Sequence, residues 1–393
     1  MAGGDRGRGK HWRNLCAAAL ACGALAVQTG CRAEQPWPLW KSYQKHFVDS
    51  SNRVIDHSMN DRTTSEGMAY AMFFALVVDD RSTFEKLLRW TEDNLAAGDM
   101  TARLPSWNWG KNPGGEWKVL DPNSASDADV WIAYDLLEAG RLWNDDRLTK
   151  LGEVMADHIA HSEVVLVPGI GTVLIPGPQG FHPGQSSYLL NPSYTPLQLI
   201  ARLKQQQPTG PWGTVLDSAP ALIRASAPAG FVMDWVQAGS SVTHAGTPQE
   251  VAEGKTTAVP VGSYDAIRVY LWLGMADRAT PGVATSLAAV TPMAQYMQAN
   301  VLPPLRVDAA GKAVDSEGPI GFSAAVVPYL TAVGRKVETK QQMTRVQASM
   351  DSSTGLYGHN PQYYDQNLAM FAMGWQEGRF RFDRDGRLKL KWK

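Results

Sequence analysis

Thr63-Thr64-Ser65-Glu66-Gly67-Met68-Ala69-Tyr70-Ala71-Met72-Phe73-Phe74-Ala75-Leu76-Val77-Val78 carries no charge between Glu66 and Asp79. A helix apolar on every side has no face to offer water, so this one belongs inside a bundle of other helices. Glu66 then stands in the first turn of a buried helix. One reading makes Thr63 the N-cap and Glu66 the residue that returns to the cap's amide, a capping box. The other makes Glu66 a carboxyl group at the edge of an apolar interior, where lost hydration favours its protonated form and suits it to proton donation. The second gains weight if other acids are placed the same way.

Two further places qualify. Ala125-Ser126-Asp127-Ala128-Asp129-Val130-Trp131-Ile132-Ala133-Tyr134 opens a helix with two acids and turns apolar at once. Ser263-Tyr264-Asp265-Ala266-Ile267-Arg268-Val269-Tyr270-Leu271-Trp272 does so with Asp265, and Arg268 lies one turn on, within ion-pair reach. Singly, each acid is explained by the unpaired amides and positive end of a helix. Together they form a pattern of acids at the starts of apolar helices. If those helices run parallel in a ring, their starts share one end, and the acids converge on a common cleft. Two carboxyl groups flanking a bond are what glycoside hydrolysis needs.

About twelve helices are expected in residues 34–378, arriving in pairs of unequal hydrophobicity, and no sequence repeat of fixed period accompanies them. The expected segments include Leu39–Val48, Ser82–Leu95, Asp127–Trp143, Asp146–His161, Tyr194–Gln207, Trp212–Ala225 and Ala266–Asp277, then Ser286–Asn300, Phe322–Val333, Val337–Met350 and Tyr364–Gln376. Leu104 to Trp117 reads as a loop rich in Trp, Gly and Asn. Strand signals are confined to a hairpin around Pro168-Gly169-Ile170-Gly171 and a basic one over Arg379–Lys393, turning at Asp385-Gly386. The basic residues of that tail read as a charged edge that discourages strand pairing.

Residues 1–33 stand apart. Arg6, Arg8, Lys10 and Arg13 precede the apolar run Leu15 to Val27, and Ala33 follows as a small boundary residue, the pattern of a secretion signal. A lipid anchor at Cys31 is the rival, weakened by Gln28 three residues before it. Removing the leader takes away Cys16, Cys22 and Cys31, all three cysteines, and leaves 32 basic residues against 37 acids, a net charge of −5. The expected product is a periplasmic or secreted protein without disulfides or a transmembrane segment. Its charge offers nothing to nucleic acid.

Fourteen Trp and twelve Tyr suit both a large core and stacking on sugar rings. Trp107 and Trp109, in the Gly/Asn-rich segment, are candidate sugar-binding residues, with Tyr194 and Tyr363 behind them. Trp131 and Trp272 read as core, and Tyr188 and Tyr264 are equally explained as packing residues. His158-x-x-His161 lacks a third ligand, and Asp127-x-Asp129 lacks a phosphate-binding cluster, so no metal or cofactor is expected. No phosphate loop or nucleophile elbow occurs.

The segment Ala125-Ser126-Asp127-Ala128-Asp129-x-x-Ile132-Ala133, followed by Leu136-Leu137-x-Ala139-x-x-x-Trp143, resembles the diagnostic segment of glycoside hydrolase family 8. It departs at Asp135, where the family usually has a small residue and where the helix is expected to face away from the cleft. Ser65–Tyr70 resembles the family's general-acid segment and Ser263–Arg268 its general-base segment. Leu190-Asn191-Pro192-Ser193-Tyr194 and Tyr363-Tyr364 match as well, all in the family's order. Within the family the chain is most similar to the periplasmic members of bacterial cellulose-synthesis systems, and Trp40-Lys41-Ser42-Tyr43 agrees with that. The resemblance implies an all-α (α/α)6 barrel and inverting endo-β-1,4-glucan hydrolysis. Glu66 is then the proton donor, Asp265 the base, Arg268 the residue that orients the base, and Asp127 the nucleophile of some family descriptions or, as preferred here, a sugar-binding acid. A cellulose synthase or export complex is the implied partner. The rival readings are another specificity of the same family (chitosan, xylan or mixed-linkage glucan) and a glycan-binding component without catalysis.

Overall fold

The acids can share a cleft only if the helices behind them run the same way, and the observed architecture has that property. The computed structural model describes residues 36–183, 187–239, 241–252 and 259–393; the leader expected over residues 1–33 lies outside them. In chain order its helices are α1 (Pro38–Phe47), α2 (Ser65–Val77), α3 (Arg81–Leu95), α4 (Ser126–Trp143), α5 (Asp146–Ser162), α6 (Leu197–Gln206) and α7 (Trp212–Ser226). There follow α8 (Pro248–Ala252), α9 (Ala266–Met275), α10 (Val283–Ala289), α11 (Thr291–Ala299), α12 (Ile320–Ala332), α13 (Lys336–Ala348) and α14 (Tyr363–Gln376).

Burial sorts them into two rings. On α2 every residue but Glu66 is buried, and α9 is buried throughout. On α12 the run Gly321–Leu330 is buried without a gap. By contrast α3 buries Phe84, Leu87, Leu88, Thr91 and Leu95 in one stripe at helical spacing, with Trp90 beside it, and turns its charges to water. The inner ring is α2, α4, α6, α9, α12 and α14. Outside it α3 packs on α2, α5 on α4, α7 on α6, α10 on α9 and α13 on α12, while the first helix, α1, returns to cover the last, α14. The result is six helical hairpins closed head to tail, the expected (α/α)6 barrel.

Aromatic rings fill the barrel's axis. Phe371 of α14 lies 4.9 Å from Tyr70, 5.3 Å from Phe73, 5.0 Å from Trp131 and 5.1 Å from Trp272, ring centre to ring centre. Four inner helices therefore meet around one side chain, Tyr70 and Trp272 edge-to-face on it, Phe73 stacked and Trp131 tilted, arrangements that ring quadrupoles tolerate or favour. Trp131 and Trp272 are core residues, as expected.

Several expected boundaries are corrected. The segment expected as one helix over Ser286–Asn300 is two, because Pro292 in the first turn of α11 has no N–H to continue α10. Tyr194 ends a short 3-10 turn, Pro192–Tyr194, ahead of α6 and not within it, Pro196 intervening. The segment expected as a loop over Leu104–Trp117 contains strand Asn108–Lys111, paired with Trp117–Asp121; its polar and glycine-rich composition concealed it. Among the described residues the hairpin Val164–Val167/Gly171–Leu174 and the C-terminal hairpin Phe380–Phe382/Leu388–Leu390 form as expected.

That C-terminal hairpin does more than present a charged edge. Phe380, Phe382, Leu388 and Leu390 enter the main core, with Phe380 5.0 Å from Phe73. Trp392 Nε1 donates to Val77 O at the end of α2, and Lys393 bonds Leu142 O near the end of α4. Tyr134 Oη donates to Gly386 O (2.9 Å), and Gly386 has φ +78° with no room for a Cβ, which would lie 1.9 Å from Gln198 O. The hairpin thus plugs the barrel at the ends of the inner helices, leaving their starts open. Its latch is Glu138, a wholly buried carboxylate that accepts from Arg202 Nε (2.6 Å), Arg141 Nη2 (2.5 Å) and the Leu388 amide (2.7 Å). Removing it strands the buried Arg202 charge. Glu138→Ala is expected to cost about 3–5 kcal/mol in urea unfolding; a loss under about 1 kcal/mol, the range of an exposed ion pair, would contradict this account of the latch.

Candidate active site

At the open end, α2 is started by Thr64 and not by Thr63. Thr64 Oγ1 accepts from Gly67 N (3.1 Å), while Thr63 pairs with Trp109 in a strand. The one-residue shift matters, because it releases Glu66 from the capping box. Its carboxylate reaches across the mouth of the barrel to Arg268 instead of returning to the cap. Gly67 permits a close approach beside it: a Cβ there would sit 2.4 Å from Tyr363 Oη, so only glycine lets Tyr363 lie against the helix start.

The mouths of α2 and α4 are tied by one backbone. Trp107 O accepts from Ser65 N (3.1 Å), and Trp107 N donates to Asn123 O (2.8 Å). Asp127 lies in the first turn of α4 and accepts from Ala128 N (2.8 Å). On the far side Asp265 is the N-cap residue of α9, but its side chain does not cap. That duty falls to Asp234, whose Oδ1 accepts from both Ser263 N (2.8 Å) and Ala266 N (2.7 Å) and frees Asp265 for the cleft.

All three acids meet one cation. Arg268 Nη2 lies 2.8 Å from Asp265 Oδ1, Nη1 bonds Glu66 Oε2, and Nη1 is 3.5 Å from Asp127 Oδ2. The guanidinium is almost fully buried, and its plane is fixed by Ser193 Oγ, which accepts from Nη2 (2.9 Å). Ser193 Oγ in turn donates to Asn191 Oδ1 (2.7 Å), and Trp272 Nε1 donates to Ser193 O (3.1 Å). Arg268 also lies 5.5 Å from the Tyr194 ring centre. Arg268, expected to orient Asp265, stands 2.8 Å from it. That it is shared by all three acids was not legible.

Three carboxylates around one cation would leave a net charge of −2 in a poorly hydrated site, so at least one acid is pressed to keep its proton. Glu66 is pushed up to about 7 by burial, Asp127 and Asp265 adding to that while Arg268 opposes it. Asp127 and Asp265 are raised as well, again by burial first, with Arg268 pulling back. Burial thus raises all three, and at about 7 Glu66 is the acid able to keep a proton near neutrality.

The acids line a cleft of about 580 Å³. Trp107, Tyr194 and Tyr363 line it too, as does the half-exposed Tyr264, a residue that the sequence explains equally well as packing. Trp109 does not. It sits edge-on to Trp90 (5.3 Å) and stacked on Trp117 (5.1 Å), supporting the hairpin behind Trp107. Asp135 is likewise absent from the cleft lining, yet it is fully buried in the barrel wall. Arg62, 5.7 Å from the Trp107 ring centre, and Asp234 were missed. No local pattern marks Asp234, whose partners are about thirty residues away in sequence.

The chain is similar to known proteins over most of its length. Residues 10–378 match the family described as Glycosyl hydrolases family 8. A protein named Endoglucanase from Xanthomonas axonopodis pv. citri (strain 306) is 41% identical over 383 residues, covering 96% of this chain and 94% of its own. One of the same name from Escherichia coli (strain K12) is 39% identical over 95% of both chains. The crystal structure of an endo-1,4-D-glucanase from Vibrio fischeri ES114 superposes with a TM-score of 0.82 at 38% identity, covering 91% of this chain and 99% of that one. With its helical barrel and its acids gathered at one mouth, the chain belongs to glycosyl hydrolase family 8.

Proposed function

We propose that this protein is an endo-β-1,4-glucanase that cleaves cellulose chains by single displacement with inversion. The observation that carries the reading is the trio of acids on one buried guanidinium, opening into a groove walled by flat aromatic side chains. Glu66 Oε2 accepts from Arg268, so the proton of the neutral acid sits on Oε1, free to pass to the glycosidic oxygen. Asp265, held ionised by Arg268, takes the proton of a water that attacks the anomeric carbon from the opposite face. Asp127, deeper and nearly covered, holds the sugar ring next to the scissile bond. Trp107, Tyr194 and Tyr363 supply the stacking and edge contacts that keep the chain in register. Trp109 acts from behind, holding the strand that Trp107 leads into.

The relatives named above support the glucan as substrate. The leader pattern over residues 1–33 supports export to the periplasm, and the family resemblance supports a site of action beside a cellulose synthase or its export complex. Among the described residues no helix is long and apolar enough to cross a membrane. N-terminal sequencing of protein recovered from the periplasm should begin near residue 34; an intact Met1 there would contradict removal of a leader.

Glu66→Gln should lower carboxymethyl-cellulose hydrolysis by about 10²–10⁴-fold with an unchanged circular dichroism spectrum. Activity within a few-fold of wild type would remove Glu66 from the role of acid. For the wild type, the first product seen by NMR should carry the α anomer at its new reducing end, and a β product would make one of the two aspartates a nucleophile.

The pH profile follows from the charges. Glu66 must be protonated to act, so kcat/KM should fall as pH rises through about 7. Asp127→Asn removes a neighbouring anion that raises Glu66, so the alkaline limb should move to lower pH as well as lower height. An unmoved limb would show that Asp127 and Glu66 do not interact in the enzyme.

A further inference from the structure

Behind Asp127 lies a second pair of acids that the proposed reaction does not use. Asp129, two residues along α4, and Glu163, the residue that ends α5, are both wholly excluded from water. Glu163 Oε1 accepts from Ser124 Oγ (2.5 Å). Among the described residues, Glu163 Oε2 and both oxygens of Asp129 lack a well-placed N–H or O–H donor; the Ser124 hydroxyl, already bonded to Glu163, lies near enough to Asp129 to pull it down in part. What stands beside Asp129 is the carboxyl of Glu163, within hydrogen-bond reach. Two ionised carboxylates in contact, buried and without a cation, would repel strongly; two carboxyls sharing a proton form a strong hydrogen bond.

We infer that Asp129 and Glu163 hold a proton between them, and that this dyad, through Ser124, is a positioning device for Asp127. The proton resides on Asp129 and is donated to Glu163 Oε2, while Glu163 Oε1 takes the Ser124 hydroxyl. No bond but this O–H···O link is made or broken. The backbone converts the link into position. Ser124 begins the short segment that enters α4. Asp129 N donates to Ala125 O (3.0 Å), and Ser126 N donates to Pro176 O (3.0 Å). Glu163 O accepts from Ile175 N (2.8 Å), joining the end of α5 to the same wall. Ala125 and Asp127 both line the cleft, so the dyad braces the cleft wall from inside.

The charged group that faces the dyad is Asp127, an anion that disfavours loss of the shared proton, with Arg268 beyond it at 3.5 Å from Asp127. Burial pushes Asp129 far above the usual carboxylate range, and pushes Glu163 up to about 8, with Ser124 and Asp129 opposing. A carboxyl raised on folding contributes its full stability below its unfolded value and loses it as pH rises through the folded one. The shared proton sits on Asp129, so its window runs from the ordinary carboxylate range, about 3.9, up through the far higher range to which burial lifts that carboxyl.

The inference rests on the family's fold and does not need the glucan reading, so its test can be read without substrate. An amide can supply by a fixed N–H what the wild type supplies by a proton. In Glu163→Gln, Nε2 donates to an ionised Asp129 while Oε1 still accepts from Ser124; in Asp129→Asn, Nδ2 donates to an ionised Glu163. Both are made on the Glu66→Gln background, which removes the titration of the acid in the cleft. The melting temperature of Glu66→Gln should decline between pH 5 and 9 more steeply than that of Glu66→Gln/Glu163→Gln, the slope tracking the proton lost. The infrared difference spectrum of Glu66→Gln minus Glu66→Gln/Asp129→Asn at pH 7 should show the C=O stretch of a protonated carboxylic acid. With Glu66 restored, Glu163→Ala should reduce kcat/KM by about tenfold and Glu163→Gln should recover it to within about threefold. Superimposed melting curves, a difference spectrum without the acid band, or a glutamine variant as impaired as the alanine one would overturn the dyad. If Glu163→Ala does not fold, the melting and infrared results decide alone.

Discussion

The site depends on one guanidinium. Arg268 is buried in the wall of an apolar barrel, at a point where water cannot screen it, and three acids from three separate helices settle their charge against it. Remove that cation and the mouth of the barrel holds several carboxyl groups with little reason to stay ionised. Keep it, and the acids differentiate. Asp265 and Glu66 take opposite ends of one rigid, planar fork, and the site as a whole retains a proton. Ser193, itself clamped by Asn191 and Trp272, fixes the plane of the fork, so the geometry does not rest on flexible side chains alone.

The remainder of the molecule follows from holding those three helix starts together. Inner helices that are apolar all round can be kept parallel only by closing on themselves. The aromatic axis around Phe371 fills the space such a ring encloses. Positive helix ends then point at the mouth, where they favour acids. The other end needs a seal, and the C-terminal hairpin provides it through Glu138 and four inward apolar side chains. One end of the barrel is thus locked while the other is open and charged.

Much of this could be read from the residues alone. The absence of a polar face on Met68–Val78, repeated after Asp129 and Asp265, is a local property, and local properties survive in a sequence. From it came the buried helices and the acids at their starts, Glu66, Asp127 and Asp265, while the closed ring was implied by the family resemblance. Arg268 was found because it lies one helical turn from Asp265. What escaped was what depends on distance along the chain. Asp234 caps a helix from a loop far upstream. Asp129 and Glu163 meet only because α4 and α5 pack, and Trp109 turns away from the cleft because Trp90 and Trp117 claim its faces. The Asn108–Lys111 strand was hidden by its own composition, and the Thr63/Thr64 choice of cap was a one-residue matter that only the strand beside it resolves.

The central claim is that the substrate's scissile bond lies between Glu66 and Asp265, under Arg268. The most direct measurement is a crystal structure of the Glu66→Gln variant with cellohexaose bound. The account predicts a glucan chain running through the cleft past Trp107. Its bridging oxygen would lie within hydrogen-bond distance of the amide that replaces the Glu66 carboxyl, with a water held by Asp265 on the far side of the anomeric carbon. A chain bound elsewhere on the surface, or bound in the cleft with its linkage out of reach of both side chains, would contradict it.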